Sequence, residues 1–319
     1  MIDEAVHRLK EVDSVEVTTL MDNYVDTLLK SSPGVTRPPL AINGNIPTDT
    51  LLAEHGLSLL VTVTKDSENH CILFDCGYSK IGVPHNITLL GVELPQIEAI
   101  VISHFHMDHT GALYTLVEGM GKSIPLVLHP DALIFPRYFE LDDGRKGKFP
   151  RTLVREDMER KGIEVVERRT PSLLADNMIA VTGEIERSTE FERGLPNAFV
   201  ERNGTLEHDK ILDDQALVIK LKEKGLVIIS GCSHAGIINT SLYAKKITGI
   251  NKIHAIMGGF HLQGPAFEPI IEKTIAEFKN LEPERIIPMH CTGWKAVKDL
   301  SDEFPSSFIL NSVGTKMHF

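Results

Sequence analysis

Ile102-Ser103-His104-Phe105-His106-Met107-Asp108-His109-Thr110-Gly111 is the stretch on which the reading of this 319-residue chain turns. His104, His106, Asp108 and His109 are all metal-ligand types. The apolar run Ile97–Ile102 ahead of them reads as a buried strand of a core sheet. Thr110, Gly111 and the Leu-rich segment beyond read as the start of a helix. The four ligand types therefore sit on a tight loop at the C-terminal end of a strand. Residues two apart on extended backbone point the same way, so His104 and His106 converge on one ion. Asp108 and His109, past the turn, are aimed at a second ion roughly 3.5–4 Å from the first, the spacing of two-metal sites. Imidazole and carboxylate without a thiolate cage suit an open, catalytic centre for two Zn ions, with Mn or Fe as alternatives. A His-rich turn facing solvent is the plainer alternative, and it leaves the buried strand ahead of the loop unexplained.

This His-x-His-x-Asp-His pattern after a strand resembles the signature of the metallo-β-lactamase superfamily. Phe74-Asp75-Cys76-Gly77 resembles that superfamily's first motif, in which an aspartate supports the metal loop. The resemblance runs from about residue 15 to the end of the sequence and is specific to the fold rather than to the reaction. It implies an α/β fold, a four-layer αββα sandwich of two mixed sheets with helices on the outer faces. Asp75 then has the supporting role that fixes an imidazole's orientation, although Asp-x-Gly is also an ordinary turn.

Composition is that of a soluble globular protein, 42% hydrophobic and 24% charged. A net charge of −11 with no basic tract excludes a binder of nucleic-acid backbone. No N-terminal apolar segment resembles a secretion signal, and no run approaches the ~20 apolar residues of a membrane span. Cys71, Cys76, Cys232 and Cys291 show neither disulfide-scaffold density nor a Cys-x-x-Cys spacing, so a reducing cytoplasm is the expected home.

Along the chain, residues 1–13 predict a short surface helix as an N-terminal extension to a single domain spanning 1–319. Ser14–Met21 alternates as a strand, and 31–47, rich in Pro and Gly, reads as a loop, either a lid or a surface connector. Leu57–Val63 and Cys71–Phe74 form a hairpin that delivers Asp75. Pro125–His129 reads as a strand with His129 either facing the cleft or capping. Residues 130–153 read as an insertion over the sheet, with Arg137 on its surface or clamping an anionic substrate.

The second half repeats the pattern. A hairpin, Ala216–Leu221 and Leu226–Ser230, precedes Gly231-Cys232-Ser233-His234, and two strand-then-His units follow at His261 and His290. Phe308–Leu310 and Lys316–Phe319 are expected to close the chain as a β pair. Three histidines at corresponding strand ends place His234 and His290 as ligands facing the metal loop. His261 is either a third ligand or a proton donor to the substrate. In the family an aspartate bridges the ions from the position of Cys232; here Cys232 either ligates as a thiolate or is a bystander. Asp213 or Asp214 is a further candidate ligand, or part of a turn.

The chemistry expected is hydrolysis of a small ester, lactone or phosphoester by metal-activated water, with Asp108 holding or deprotonating that water and His261 protonating the leaving group. Gly231–Gly236, Gly258–Leu262 and His290–Gly293 also resemble the superfamily's dihydropterin–ribofuranosylaminobenzene phosphate synthase-like branch. That resemblance implies the alternative of a transferase joining a dihydropterin methyl diphosphate to a ribofuranosylaminobenzene phosphate. A non-catalytic metal or ligand sensor is the third reading. The expected partner is a small molecule, anionic in the transferase reading.

Overall fold

The computed structural model describes residues 6–319. Among these, an eight-stranded and a seven-stranded sheet pack face to face, and a separate four-stranded sheet lies beside them. The period-2 alternation of the strands builds the layers. In the strand Ser58–Lys65, Leu59, Val61 and Val63 face the second sheet while Leu60 faces the helices outside. In Ala216–Leu221, Leu217 and Ile219 enter the same inter-sheet core and Val218 faces outward. Each fully buried Leu, Val or Ile contributes about 1.5–3 kcal/mol relative to exposure, so a one-residue slip would forfeit this on every strand at once.

Helices Gly82–Leu90 and Leu113–Met120 cover the first sheet through Val83, Ile87, Leu116 and Val117. Helices Ile237–Thr248, Ile271–Leu281 and Trp294–Glu303 cover the second through Ile238, Ile275, Phe278 and Leu300. The molecule is thus the four-layer αββα sandwich that the sequence implied. In each half, adjacent parallel strands end at one rim: Glu68–Phe74 beside Ala99–Val101, and Gly225–Ser230, Ile253–Gly259 and Arg285–Met289 in succession. This convergence of C-terminal strand ends sets the site.

Several local expectations are corrected. Within the expected helix only Val6–Arg8 is helical, as a single turn of 3-10 helix, and Glu11–Val12 is a strand paired in parallel with Lys220–Leu221; residues 1–5 lie outside the described residues. Lys316–His318 pairs with Glu16–Thr18 and with Val35–Thr36, not with Phe308–Leu310, because the chain end is drawn into the first sheet. The 31–47 loop covers an apolar cavity of about 410 Å³ lined by Pro38, Leu40 and Ile46, and does not line the cavity above the metal loop. Segment 130–153 carries the strands Arg137–Glu140 and Lys146–Lys148, which join a hairpin, Ala198–Arg202 and Thr205–His208, in the four-stranded sheet. That hairpin turns on Asn203-Gly204, a strong short-range turn signal that sequence reasoning passed over. No helix among the described residues is long and apolar enough to cross a membrane.

Candidate metal centre

The two halves meet at the strand ends. His104 Nε2 lies 2.9 Å from His106 Nδ1, and His234 Nε2 lies 3.2 Å from both. Beside this triad, His290 Nε2 is 3.2 Å and His109 Nε2 is 3.8 Å from Asp108 Oδ2. Cys232 Sγ sits between the groups, 3.1 Å from His109 Nε2. Asp108 Oδ2, His109, Cys232 and His290 form one group with all ligand atoms within 4.8 Å of one another, and His104, Cys232 and His234 form a second. All of these side chains are buried.

Backbone geometry explains how strand ends present them. Asp75, Ser233, His261 and His290 have φ of 62°, 57°, 45° and 47°. Non-glycine residues in this left-handed region are uncommon and cluster at functional sites. The chain turns abruptly after each strand, and the next side chains are aimed across the rim. Gly231 is required by the close approach of the halves: a Cβ there would overlap the Ser103 hydroxyl and come 3.2 Å from Asp75 Oδ2.

The surrounding hydrogen bonds fix which imidazole nitrogen carries its lone pair inward. Asp75 is fully buried and accepts from Ser103 N at 2.7 Å, from the Ser103 hydroxyl at 2.6 Å and from His109 Nδ1 at 2.6 Å. Since that hydroxyl donates to Asp75, His104 Nδ1 donates to it at 2.9 Å, which frees His104 Nε2. Asn23 Nδ2 donates to the His290 carbonyl at 3.0 Å, so Asn23 Oδ1 accepts from His290 Nδ1 at 3.0 Å. His290 Nε2 is thereby turned inward, toward Asp108 Oδ2 at 3.2 Å. Imidazole nitrogens gathered within 3.2 Å of one another and a carboxylate facing two further imidazoles fit a divalent-ion centre, with outer partners orienting the rings as metal sites require.

Electrostatics follow the packing. Burial, reinforced by the neighbouring imidazoles, pushes His104 well below the ordinary histidine range, and burial takes His106 down to about 3. Burial also opposes charge on His109, but the Asp75 and Asp108 carboxylates outweigh it and raise that imidazole to about 9. Asp108 is held low, its own burial overcome by His109 and His290.

Other candidates fall elsewhere. His261 lies on the wall of the cavity above the centre, its ring 4.4 Å from that of His234 and 4.6 Å from that of Phe267. His129 caps a 3-10 turn, accepting from Asp131 N at 3.1 Å, and does not face the cleft. Asp214 accepts from Ala235 N at 2.7 Å, and Asp213 accepts from Phe105 N at 2.8 Å and from Arg137; neither belongs to the imidazole groups. Arg137 is neither on the surface nor a substrate clamp. Its buried guanidinium donates to Asp209 and Asp213, both at 2.9 Å, and lies 3.9 Å over the Phe105 ring. Sequence reasoning also missed His55, whose Nε2 is 3.5 Å from Asp108 Oδ2, and Asp22, which accepts from His290 N at 2.8 Å. Each is an isolated polar residue, and only its distant partner gives it away.

The cavity over the centre encloses about 670 Å³. Phe139, Phe149 and Phe267 give it aromatic walls, and Lys148 contributes a cation at its side. Phe149 stacks on His106 with centroids 4.8 Å apart and planes 28° from parallel. The four-stranded sheet thus supplies part of the wall of the space above the imidazoles.

Residues 53–177 match the family model of the metallo-β-lactamase superfamily. The chain is 33% identical over 301 residues to the 7,8-dihydropterin-6-methyl-4-(β-D-ribofuranosyl)-aminobenzene-5'-phosphate synthase of Methanocaldococcus jannaschii, covering 93% of this chain and 94% of that one. The crystal structure of Tm1679, a metal-dependent hydrolase of the β-lactamase superfamily, superposes with a TM-score of 0.71 and 28% identity over 95% of this chain and 98% of that one. YhfI of Bacillus subtilis shares the fold, at a TM-score of 0.50 and 14% identity over 96% of this chain and the whole of its own. The expectation of an ester, lactone or phosphoester hydrolase is overturned by the synthase, a named relative that spans both halves of the chain. The physical reason is that a bound metal ion can serve a leaving group as well as a water, so the motif points to a metal centre and not to the bond broken. With the signature loop, the paired sheets and a relative matched along nearly its whole length, the chain belongs to the metallo-β-lactamase superfamily.

Proposed function

We propose that this chain is a metal-dependent transferase that joins a dihydropterin methyl diphosphate to a ribofuranosylaminobenzene phosphate, forming a C–N bond and releasing diphosphate. The observation that carries the reading is the 33% identity to the Methanocaldococcus synthase along 93% of the chain. The cavity supports it. Its aromatic walls suit flat heterocyclic and benzene rings, and Lys148 suits a phosphate.

In this reading His104, His106 and His234 hold one divalent ion, Asp108, His109 and His290 hold another, and zinc is the preferred metal. Bound cations would neutralise the diphosphate and stabilise the charge that develops on it as it leaves. The chain's own groups do the rest. Phe149, fixed by its stack on His106, offers a face to one ring. Phe139 and Phe267 exclude water from the space between the substrates. As the amine nitrogen attacks the pterin methylene, the C–O electron pair leaves with the diphosphate. His261, on the cavity wall and with Nδ1 unpartnered, takes the proton released from the amine.

The test is to incubate metal-loaded protein with each substrate alone and with both. Diphosphate should appear only with both, alongside a product whose mass equals the sum less diphosphate. Release without the aminobenzene acceptor, or ligand binding with no turnover at full metal occupancy, would refute the reading.

A further inference from the structure

We infer that the Cys232 sulfur is a shared ligand, binding both ions of the centre as a bridging thiolate. Its placement argues for this. Cys232 Sγ belongs with Asp108, His109 and His290 and equally with His104 and His234, in two groups whose ligand atoms lie within 4.8 Å of one another. Sγ approaches His109 Nε2 to 3.1 Å, and the side chain is 2% exposed. His290 Nε2, 3.2 Å from Asp108 Oδ2, belongs to the first of these groups.

Charge points the same way. An imidazole ligates in its neutral form, so among the proposed ligands of the two ions Asp108 brings the one negative charge, and a Cys232 thiolate doubles the anionic charge offered to two dications. The thiol proton passes to solvent as the ions bind. Softness has a consequence for metal choice: a thiolate bridge favours zinc or cobalt over manganese or magnesium. Cys291 is the bystander of the pair. It belongs only to a group with Cys232 and His261, and its S–H donates to the Cys232 carbonyl at 3.5 Å.

The inference rests on the ion centre proposed above, so the experiment separates the two. Metal-free protein is titrated with Co(II) and followed by near-ultraviolet sulfur-to-cobalt charge-transfer absorption and by bound cobalt after dialysis. The native chain and Cys291→Ser should show the band. Cys232→Ser should lose it, and its cobalt affinity should fall by more than the roughly 10–100-fold typical of losing an outer hydrogen-bond partner. Cys232→Asp should also lose the band but retain both ions, because a carboxylate can bridge in the sulfur's place. It should also lose part of the preference for zinc over manganese. Circular dichroism checks that each variant is folded. A band that survives Cys232→Ser, or one abolished by Cys291→Ser alone, overturns the assignment. Cobalt bound by the native chain with no band refutes the thiolate and leaves the ion centre standing. No cobalt bound at all removes both.

Discussion

Replacing Arg137 with methionine tests whether the cavity wall and the metal loop are held by one buried ionic knot. The native guanidinium is fully buried, donates to Asp209 and Asp213 at 2.9 Å each, and also donates to the Asp131 and Ile134 carbonyls. Asp213 in turn accepts from Phe105 N, between His104 and His106. Methionine fills much of the volume but leaves two buried carboxylates without their cation. Removing one partner of a buried ion pair costs about 3–5 kcal/mol, and one carboxyl taking up a proton keeps the double loss near that range. The sign of the pH dependence follows. Asp209 is already raised, by burial first and by Asp213, with Arg137 opposing. Without the arginine its folded-state pKa climbs further above the unfolded value. Such a group's stabilising contribution is complete below the unfolded pKa and is lost as pH rises through the folded one, so the variant's deficit should grow as pH rises from the unfolded carboxylate range, about 4, to neutrality. Guanidinium-induced unfolding of both proteins at the two pH values measures it. A deficit under about 1 kcal/mol at neutral pH, the scale of an exposed ion pair, or one independent of pH, would refute the reasoning.

Asp75→Asn removes the carboxylate that fixes the His109 and Ser103 orientations, and zinc affinity in chelator competition should fall about 10–100-fold; an unchanged affinity would show that the imidazoles orient themselves. His106→Ala should sharply cut the metal retained after dialysis, measured by elemental analysis, and full retention would remove His106 from the proposed ligands. Glu192, buried and accepting from Ile238 N and Asn239 N, is pushed up by burial to about 7 from 4.5. Its neutral form is favoured in the fold, so stability should fall by about 3 kcal/mol as pH rises from about 4.5 through about 7. Glu192→Gln should flatten that slope in thermal melts, and an equally steep slope in the variant would assign it to other groups.

The layers and the loop of candidate ligands were legible in the sequence because both are local patterns. Alternation along Ser58–Lys65 and Ala216–Leu221 marks two-sided strands, and His104–His109 is compact enough to read at sight. The strand-then-His repeats pointed to His234 and His290 before any geometry. What escaped was set by distant partners. Arg137 looks like a surface cation until Asp209 and Asp213 fold over it, and Asp22 and Asn23 acquire meaning only beside His290. The helix Trp294–Glu303 was not anticipated because its only buried residues are Ala296 and Leu300, too sparse to stand out among charged neighbours. The reaction was not legible either: the same ligand loop is compatible with hydrolysis and with group transfer.

The Arg137 knot bears on how this chain can be recombined with its relatives. Transplanting the strand pair around Phe139 and Lys148 to alter substrate preference imports or deletes the cation that Asp209 and Asp213 await. A chimaera with a breakpoint between residues 137 and 209 takes the cation and its carboxylates from different parents, and where the other parent lacks either, the damage reaches the backbone between His104 and His106. The cavity wall and the His104–His109 loop are therefore best exchanged as one block, and crossovers placed outside it are those expected to give folded hybrids.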